Sequence, residues 1–319
     1  MFRKLSFVLM LLGNQAVADT PSVLTDIPAI HSLVSQVMQG VGSPEMLLDR
    51  GSNPHTFQLR PSQAGTLSNA DVLFWVGPEL TPWLERAIDG IGVKGVNVEL
   101  LHSEGTIRRQ FENASGKHAE NEHDEHDEHD EHDEHDEHDE HAENEHEHKH
   151  SGLDPHAWLE PQNAIIWLDI IAAELGRIDT QNADQYNDNA RMSKERITKL
   201  IAETEIALKP IRGKSMIVSH KAYGYFAHRF DLHIAGTFRD GDATPPSAQE
   251  MAKIQEMIRG KNIACAFAEP SHEIINAMFK GTDISIGMLD PGGNRIEFGP
   301  DLYETLIRNM TTDLAICNK

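Results

Sequence analysis

Cysteine is nearly absent, with only Cys265 and Cys317 in 319 residues. Neither has a CxxC neighbour, which disfavours zinc ligation as the use of the pair; in an oxidising compartment an isolated pair of this kind forms a disulfide instead. Basic residues are also scarce, 28 against 51 acids, for a formal charge of −23. A body of that sign repels nucleic acid and anionic membrane and attracts cations, so a nucleic-acid partner is excluded. Beyond the first 18 residues no apolar run approaches the ~20 that span a bilayer, and no direct membrane insertion is expected. No HExxH motif is present, which removes the usual sequence basis for a zinc hydrolase. Glu269, in Ala268-Glu269-Pro270, is the one base such a reading could propose.

What the chain has in excess is histidine, and it is concentrated. Between residues 117 and 150 lie eleven of the nineteen histidines, seventeen carboxylates and two lysines. From His123 to His141 the repeat is His-Asp-Glu, an imidazole every third residue. A period of three fits neither a helix face nor a strand face. With no apolar side chain larger than Ala, the run buries too little surface to offset its ordering entropy. A solvated acidic linker has no use for alternating imidazoles, whereas imidazole and carboxylate together are ligands of borderline divalent metals, zinc foremost. His118, His123, His126, His129, His132, His135, His138, His141, His146, His148 and His150 are therefore expected as secondary metal ligands on a disordered loop at 113–153. The run carries −15 of the formal charge and leaves −8 for the rest.

The first 18 residues read as a cleavable secretory signal. Arg3 and Lys4 supply the positive start, residues 5–12 the apolar core, and Ala16-Val17-Ala18 the small-residue cleavage site. No Cys follows that core to take a lipid. A mature protein beginning at Asp19 and exported to the periplasm is the expectation.

Short apolar runs then alternate with helical patterns, which predicts α/β layers with parallel sheets. Strands are expected at 23–27, 46–48, 72–76 and 96–100, with helices at 28–39, 63–69, 82–88 and 161–175. The second half repeats the scheme, with strands at 216–219, 233–235, 263–268 and 284–289 and helices at 223–230, 247–259, 272–279 and 300–316. Between them an amphipathic stretch from 180 to 209, marked by Tyr186, Ala190, Ile197, Ile201 and Leu208, ends at Pro210. Thirty helical residues reach about 45 Å, more than a helix packed within one small domain needs, so it reads as a strut. The predicted architecture is two similar α/β lobes, parallel sheets flanked by helices, joined by one long rigid helix. An N-terminal lobe spans 19–178, a linking helix 179–210 and a C-terminal lobe 211–319. Gly90-Ile91-Gly92-Val93-Lys94-Gly95 matches a dinucleotide-binding pattern, but a helix precedes it and a strand follows, so it reads as a turn.

Ligands of open α/β layers bind just beyond the carboxyl ends of strands. That rule selects His55, His156, His220 and Asp290, two from each lobe, and places a metal site in the interlobe cleft. Three imidazoles and a carboxylate suit tetrahedral zinc. Each position alone has an ordinary structural explanation, and Asp290 before Pro-Gly-Gly is also a turn former. His31, His102, His228, His233 and His272 receive no role.

The segments Pro54-His55-Thr56-Phe57-Gln58-Leu59-Arg60-Pro61-Ser62, Asp154-Pro155-His156-Ala157-Trp158-Leu159, Ser219-His220-Lys221-Ala222-Tyr223-Gly224-Tyr225-Phe226, Phe267-Ala268-Glu269-Pro270 and Gly287-Met288-Leu289-Asp290-Pro291 resemble, in this order, those of the ZnuA-type family. These are the periplasmic zinc-binding components of high-affinity zinc uptake ABC transporters. The resemblance covers nearly the whole mature chain and includes an acidic His-rich insertion. It implies two lobes joined by a long helix, limited lobe motion, Zn2+ held as transported ligand by His55, His156 and His220, and a Cys265–Cys317 disulfide. Similar proteins that carry manganese or iron have a carboxylate where this chain has His220. Some zinc members have an acid just before the first His, where Pro54 stands here; Asp290, or else a water, then completes the shell.

The expectation is a monomeric binding protein, not an enzyme, that hands Zn2+ to an inner-membrane ABC permease driven by a cytoplasmic ATPase. The His-rich loop would serve as an auxiliary, weaker zinc collector. The rival readings are manganese or iron uptake, and a stand-alone periplasmic metal buffer or chaperone.

Overall fold

A computed structural model describes residues 20–111, 152–239, 247–260, 263–269, 279 and 282–318. The expected signal segment, the His-rich loop with its eleven candidate ligands, and nearly all of the helix expected at 272–279 lie outside the described residues.

Four helices of the first half start on proline: α1 (Pro28–Val37), α2 (Pro61–Asn69), α3 (Pro82–Ile91) and α4 (Pro161–Ile178). The ring presets a helical φ, and its missing N–H is one the first turn could not have paired. Between them β1 (Val23–Thr25), β2 (Glu45–Met46), β3 (Val72–Trp75) and β4 (Val96–Glu99) form a parallel sheet in the order β2-β1-β3-β4. The second sheet, also parallel, holds β5 (Ser215–Val218), β6 (His233–Thr237), β7 (Ile263–Ala268) and β8 (Ser285–Met288) in the order β6-β5-β7-β8. The same permutation thus occurs twice. Parallel strands are covered on both faces, which is why β3 and most of β7 read as unbroken apolar runs.

Alternation along the strands of the second sheet divides its packing. Met216, Val218, Cys265 and Phe267 join the main core, which continues through Trp75, Trp167, Tyr186 and Tyr303. Ile217, Ala266 and Ala268 face a smaller cluster with Phe238, Ile254 and Phe279. The helix expected as a strut is α5 (Ala183–Leu208), 26 residues and about 39 Å long. It is not a bare rod: it packs along α4 and touches α1 and α8 (Leu302–Leu314). Two further helices, α6 (Gly224–Phe230) and α7 (Ala248–Gly260), complete the second half. Asn189 on α5 donates from its amide to the carbonyls of Val37 and Gln39, both at 2.8 Å, and so satisfies the open carboxyl end of α1. The main core is therefore continuous between the sheets.

The remaining differences from the sequence reading are at element ends, where α8 stops at Leu314 and continues as a 3-10 turn over Ala315–Asn318. Cys317 in that turn is disulfide-bonded to Cys265 of β7. Of the glycine-rich match at 90–95, Gly90 and Ile91 are the last residues of α3, and the connection to β4, expected to include all six, is 92–95. Gly92, at φ 82°, ends α3, and a Cβ on Gly95 would lie 1.9 Å from the carbonyl oxygen of Asp71. Among the described residues no helix is long and apolar enough to cross a membrane.

Candidate metal centre

Both sheets change direction of strand order between their second and third members, and crevices open beyond the carboxyl ends at such points. In the second sheet these are the ends of β5 and β7, followed by His220 and Glu269. In the first they are the ends of β1 and β3. There Asp26 closes the gap, accepting from the backbone N–H of Ile27 at 2.8 Å and of Val76 at 2.9 Å. Full burial pushes the Asp26 carboxyl up to about 7, against the lowering effect of those two bonds.

A cleft of about 330 Å³ lies between the two halves. His55, His156, His220 and Asp290 all line it, together with Trp158, Arg239 and Glu269. The structure thus brings the four sequence-selected residues to one cavity. The ring centres of His55 and His156 are 5.7 Å apart, and those of His156 and His220 5.5 Å. Two imidazoles on one tetrahedral zinc, with Zn–N of about 2.0–2.1 Å, have centres roughly 5 Å apart. As the side chains stand, no three His, Cys, Asp or Glu among the described residues are closed on a common point. Both ring pairs that share His156 are close to that spacing.

Two of the imidazoles are backed by a carboxylate, and the third sits on a braced loop. His55 sits on the loop after β2, where its backbone N–H is held by Asn53 Oδ1 at 2.8 Å and the Trp83 indole donates to the Pro54 carbonyl at 2.6 Å. His156 opens a short 3-10 turn, Ala157–Leu159. Asp154 Oδ1 takes both its backbone N–H, at 3.0 Å, and its Nδ1, at 2.8 Å. With Nδ1 as donor, Nε2 carries the lone pair that a cation could take. Phe111 and Trp158 rings flank it at 6.3 and 5.3 Å. His220 follows β5 in extended backbone, its Nδ1 2.6 Å from Glu269 Oε1.

Asp290 is held in a turn at the edge of the cleft. Its Oδ1 accepts from the N–H of Asn294 at 3.1 Å and its Oδ2 from that of Arg295 at 2.8 Å, so it does form the turn after β8. A carboxylate oxygen has a second lone pair, and turn formation does not remove it as a donor to a cation.

Four further residues around the cleft have no metal-binding part in the sequence. Asp154 stands two residues before His156, and that spacing is its signal. Glu269 reads from sequence only as a hydrolytic base, yet it stands at the end of β7 by the same rule that selects His220 at the end of β5. Its Oε1 also accepts from Tyr223 Oη at 3.0 Å, and its Oε2 from the Arg239 guanidinium at 3.1 Å. Burial first, and the Glu269 charge second, push the Tyr223 phenol well above its usual range, so it is a neutral donor. Arg239, two residues beyond β6, carried no signal: a buried cation in a cation site is not something composition suggests. Of the histidines left without a role, His102 is paired with Glu79 at 2.9 Å, and His233 with Ser215 at 3.0 Å, outside the cleft.

Two α/β lobes with parallel sheets, packed across a long helix and offering imidazoles to a shared cleft, define a metal-ion solute-binding protein. The family model "Zinc-uptake complex component A periplasmic" matches residues 23–317, and the chain belongs to that family. It is 45% identical over 99% of both chains to the high-affinity zinc uptake system protein ZnuA of Paracoccus denitrificans. To the protein of that name from Brucella abortus it is 37% identical, over 99% of this chain and 97% of the other. A Zn(II)-bound variant of AdcAII from Streptococcus pneumoniae has the same fold, with a TM-score of 0.67 at 20% identity over 92% of this chain and 98% of that one.

Proposed function

We propose that this chain captures Zn2+ in the interlobe cleft and delivers it to an ABC permease for import, working in the periplasm as a monomer and making or breaking no covalent bond. The observation that carries the reading is the spacing of the three imidazoles, drawn from loops far apart in sequence to adjacent ring centres 5.7 and 5.5 Å apart. His55, His156 and His220 supply nitrogen, and Asp290 completes the set through an oxygen. Zn2+ is cargo, and the chain's own work is to present ligands already turned towards it. Asp154 and Glu269 hold the rear nitrogens, so little side-chain freedom is lost on binding.

A hydrolytic role finds no support at Glu269, since its oxygens are engaged by His220, Tyr223 and Arg239. We assign residues 1–18 to a cleaved signal, 179–210 to the link between lobes, and the His-rich loop to a multivalent, weaker zinc store beside the cleft.

Calorimetric titration of the mature chain with Zn2+ and Mn2+ tests the reading. One tight zinc site, several weaker ones that vanish on deleting residues 117–150, and much weaker Mn2+ binding are expected. Tight Mn2+ binding would move the assignment to manganese uptake. Normal zinc-limited growth of a strain lacking the protein would leave only a buffer.

A further inference from the structure

A buried guanidinium on the wall of a cleft meant for a divalent cation opposes binding by its charge, and it therefore requires an account. Arg239 is 3% exposed and lines the cleft. It donates to Glu269 Oε2 at 3.1 Å, while Oε1 of the same carboxylate faces His220 Nδ1 at 2.6 Å. Glu269 also lines the cleft. A carboxylate beside three imidazoles is a hard oxygen donor that would enter the coordination shell of an arriving cation unless something held it. Oxygen donors favour manganese and magnesium, and imidazole favours zinc.

We propose that Arg239 is a specificity-determining residue: by neutralising Glu269 and holding its outer oxygen, it keeps that carboxylate behind His220 and out of the metal shell. The shell then stays nitrogen-rich and zinc-selective. Without the guanidinium, the buried carboxylate has lost its compensating charge. An incoming divalent ion becomes its replacement partner, and Oε2 turns from the arginine to the ion. This inference rests on the zinc-capture reading above.

The test uses the mature full-length protein, competing Zn2+ or Mn2+ against a chelating indicator, with a melting curve for each variant. Arg239→Met raises Mn2+ affinity and lowers the Zn2+/Mn2+ preference by about tenfold, equivalent to about 1.4 kcal/mol. Arg239→Lys keeps the charge and stays near the wild-type preference. Adding Glu269→Gln to Arg239→Met removes the gain for Mn2+, because the oxygen donor that caused it is no longer charged. Should Arg239→Met fail to fold, Arg239→Gln, which keeps an amide donor without the charge, carries the same expectation. An unchanged preference in a folded Arg239→Met or Arg239→Gln protein overturns the inference, as does a gain that survives Glu269→Gln. If the wild-type chain has no tight zinc site the functional reading itself fails; a tight site with an unmoved preference sinks only the role of Arg239.

Discussion

Trp158 donates its indole N–H to the carbonyl oxygen of Pro291 at 2.9 Å, across the cleft from the first half of the molecule to the turn after β8. Around this bond Tyr303 Oη donates to the Trp158 carbonyl at 2.8 Å, and Ser32 Oγ and Gln36 Nε2 both donate to the Pro300 carbonyl, at 2.9 and 2.8 Å. The two halves are thus joined by hydrogen bonds as well as by the shared core. Relative motion must break several of them together.

Trp158→Phe keeps the aromatic wall beside His156 and removes only the donor, leaving the Pro291 carbonyl to find another partner. A loss of about 1–3 kcal/mol in stability is expected. Denaturant unfolding measures it, and stopped-flow transfer of Zn2+ to a chelator is expected to show faster release. Unchanged release would mean that the bond does not restrain opening.

Replacing any one of His55, His156 or His220 with alanine removes one of the proposed ligands. Zinc sites with four protein ligands are worth about 10–16 kcal/mol, so one ligand represents roughly 3–4 kcal/mol, or two to three orders of magnitude in affinity. Asp154→Asn acts one step back, through the tautomer of His156, and should cost about 10–100-fold. Chelator competition separates the two classes. Tight binding that persisted in His156→Ala would remove this residue from the shell.

Asp26 gives the body a pH-dependent term unrelated to zinc. Its folded pKa, raised to about 7, lies above its ordinary value of 3.8. Below about pH 4 both folded and unfolded chains hold the proton, and nothing changes with pH. Between about 4 and 7 only the folded chain holds it, so stability falls as pH rises. Above 7 the loss is complete and on the order of 4 kcal/mol. Denaturation midpoints of the apo protein from pH 4.5 to 8 give the slope, and Asp26→Asn should flatten it; a slope identical in both proteins would refute the assignment.

The Cys265–Cys317 bridge closes a loop with a sequence separation of 52. In the chain-entropy model it contributes about 4 kcal/mol by restricting the unfolded chain. Unfolding of Cys265→Ser/Cys317→Ser, compared with the oxidised protein, should show that loss. Because β7 leads directly to Glu269, His220 would lose its backing earlier in the titration than Trp75 and Trp167 become exposed, which intrinsic fluorescence can follow.

The fold was legible because parallel strands must be apolar on both faces, and four helices announce themselves with proline at the first turn. Strand ends were equally informative about which of His55, His220 and Asp290 would reach one cleft. What stayed hidden was relational. Nothing in residues 180–209 indicates that α5 lies flat against α4, since an amphipathic face does not name its partner. Arg239 reads as any surface arginine until β6 and β7 are placed on either side of β5, which brings it to Glu269. Even the doubled strand order appears only once pairing is known, because the two halves share a pattern of lengths rather than of residues.

The neck of the His-rich insertion is narrow. Gln110 and Leu153 are bridged as antiparallel partners, and Phe111 N–H bonds to the Gly152 carbonyl at 3.0 Å. Whatever enters there returns at the same point, a few ångströms from its departure. Whole His-Asp-Glu triplets can accordingly be gained or lost by slippage in the coding repeat without shifting the frame of the body by one atom. The length of the His-Asp-Glu run can therefore change while the geometry of the cleft stays as it is.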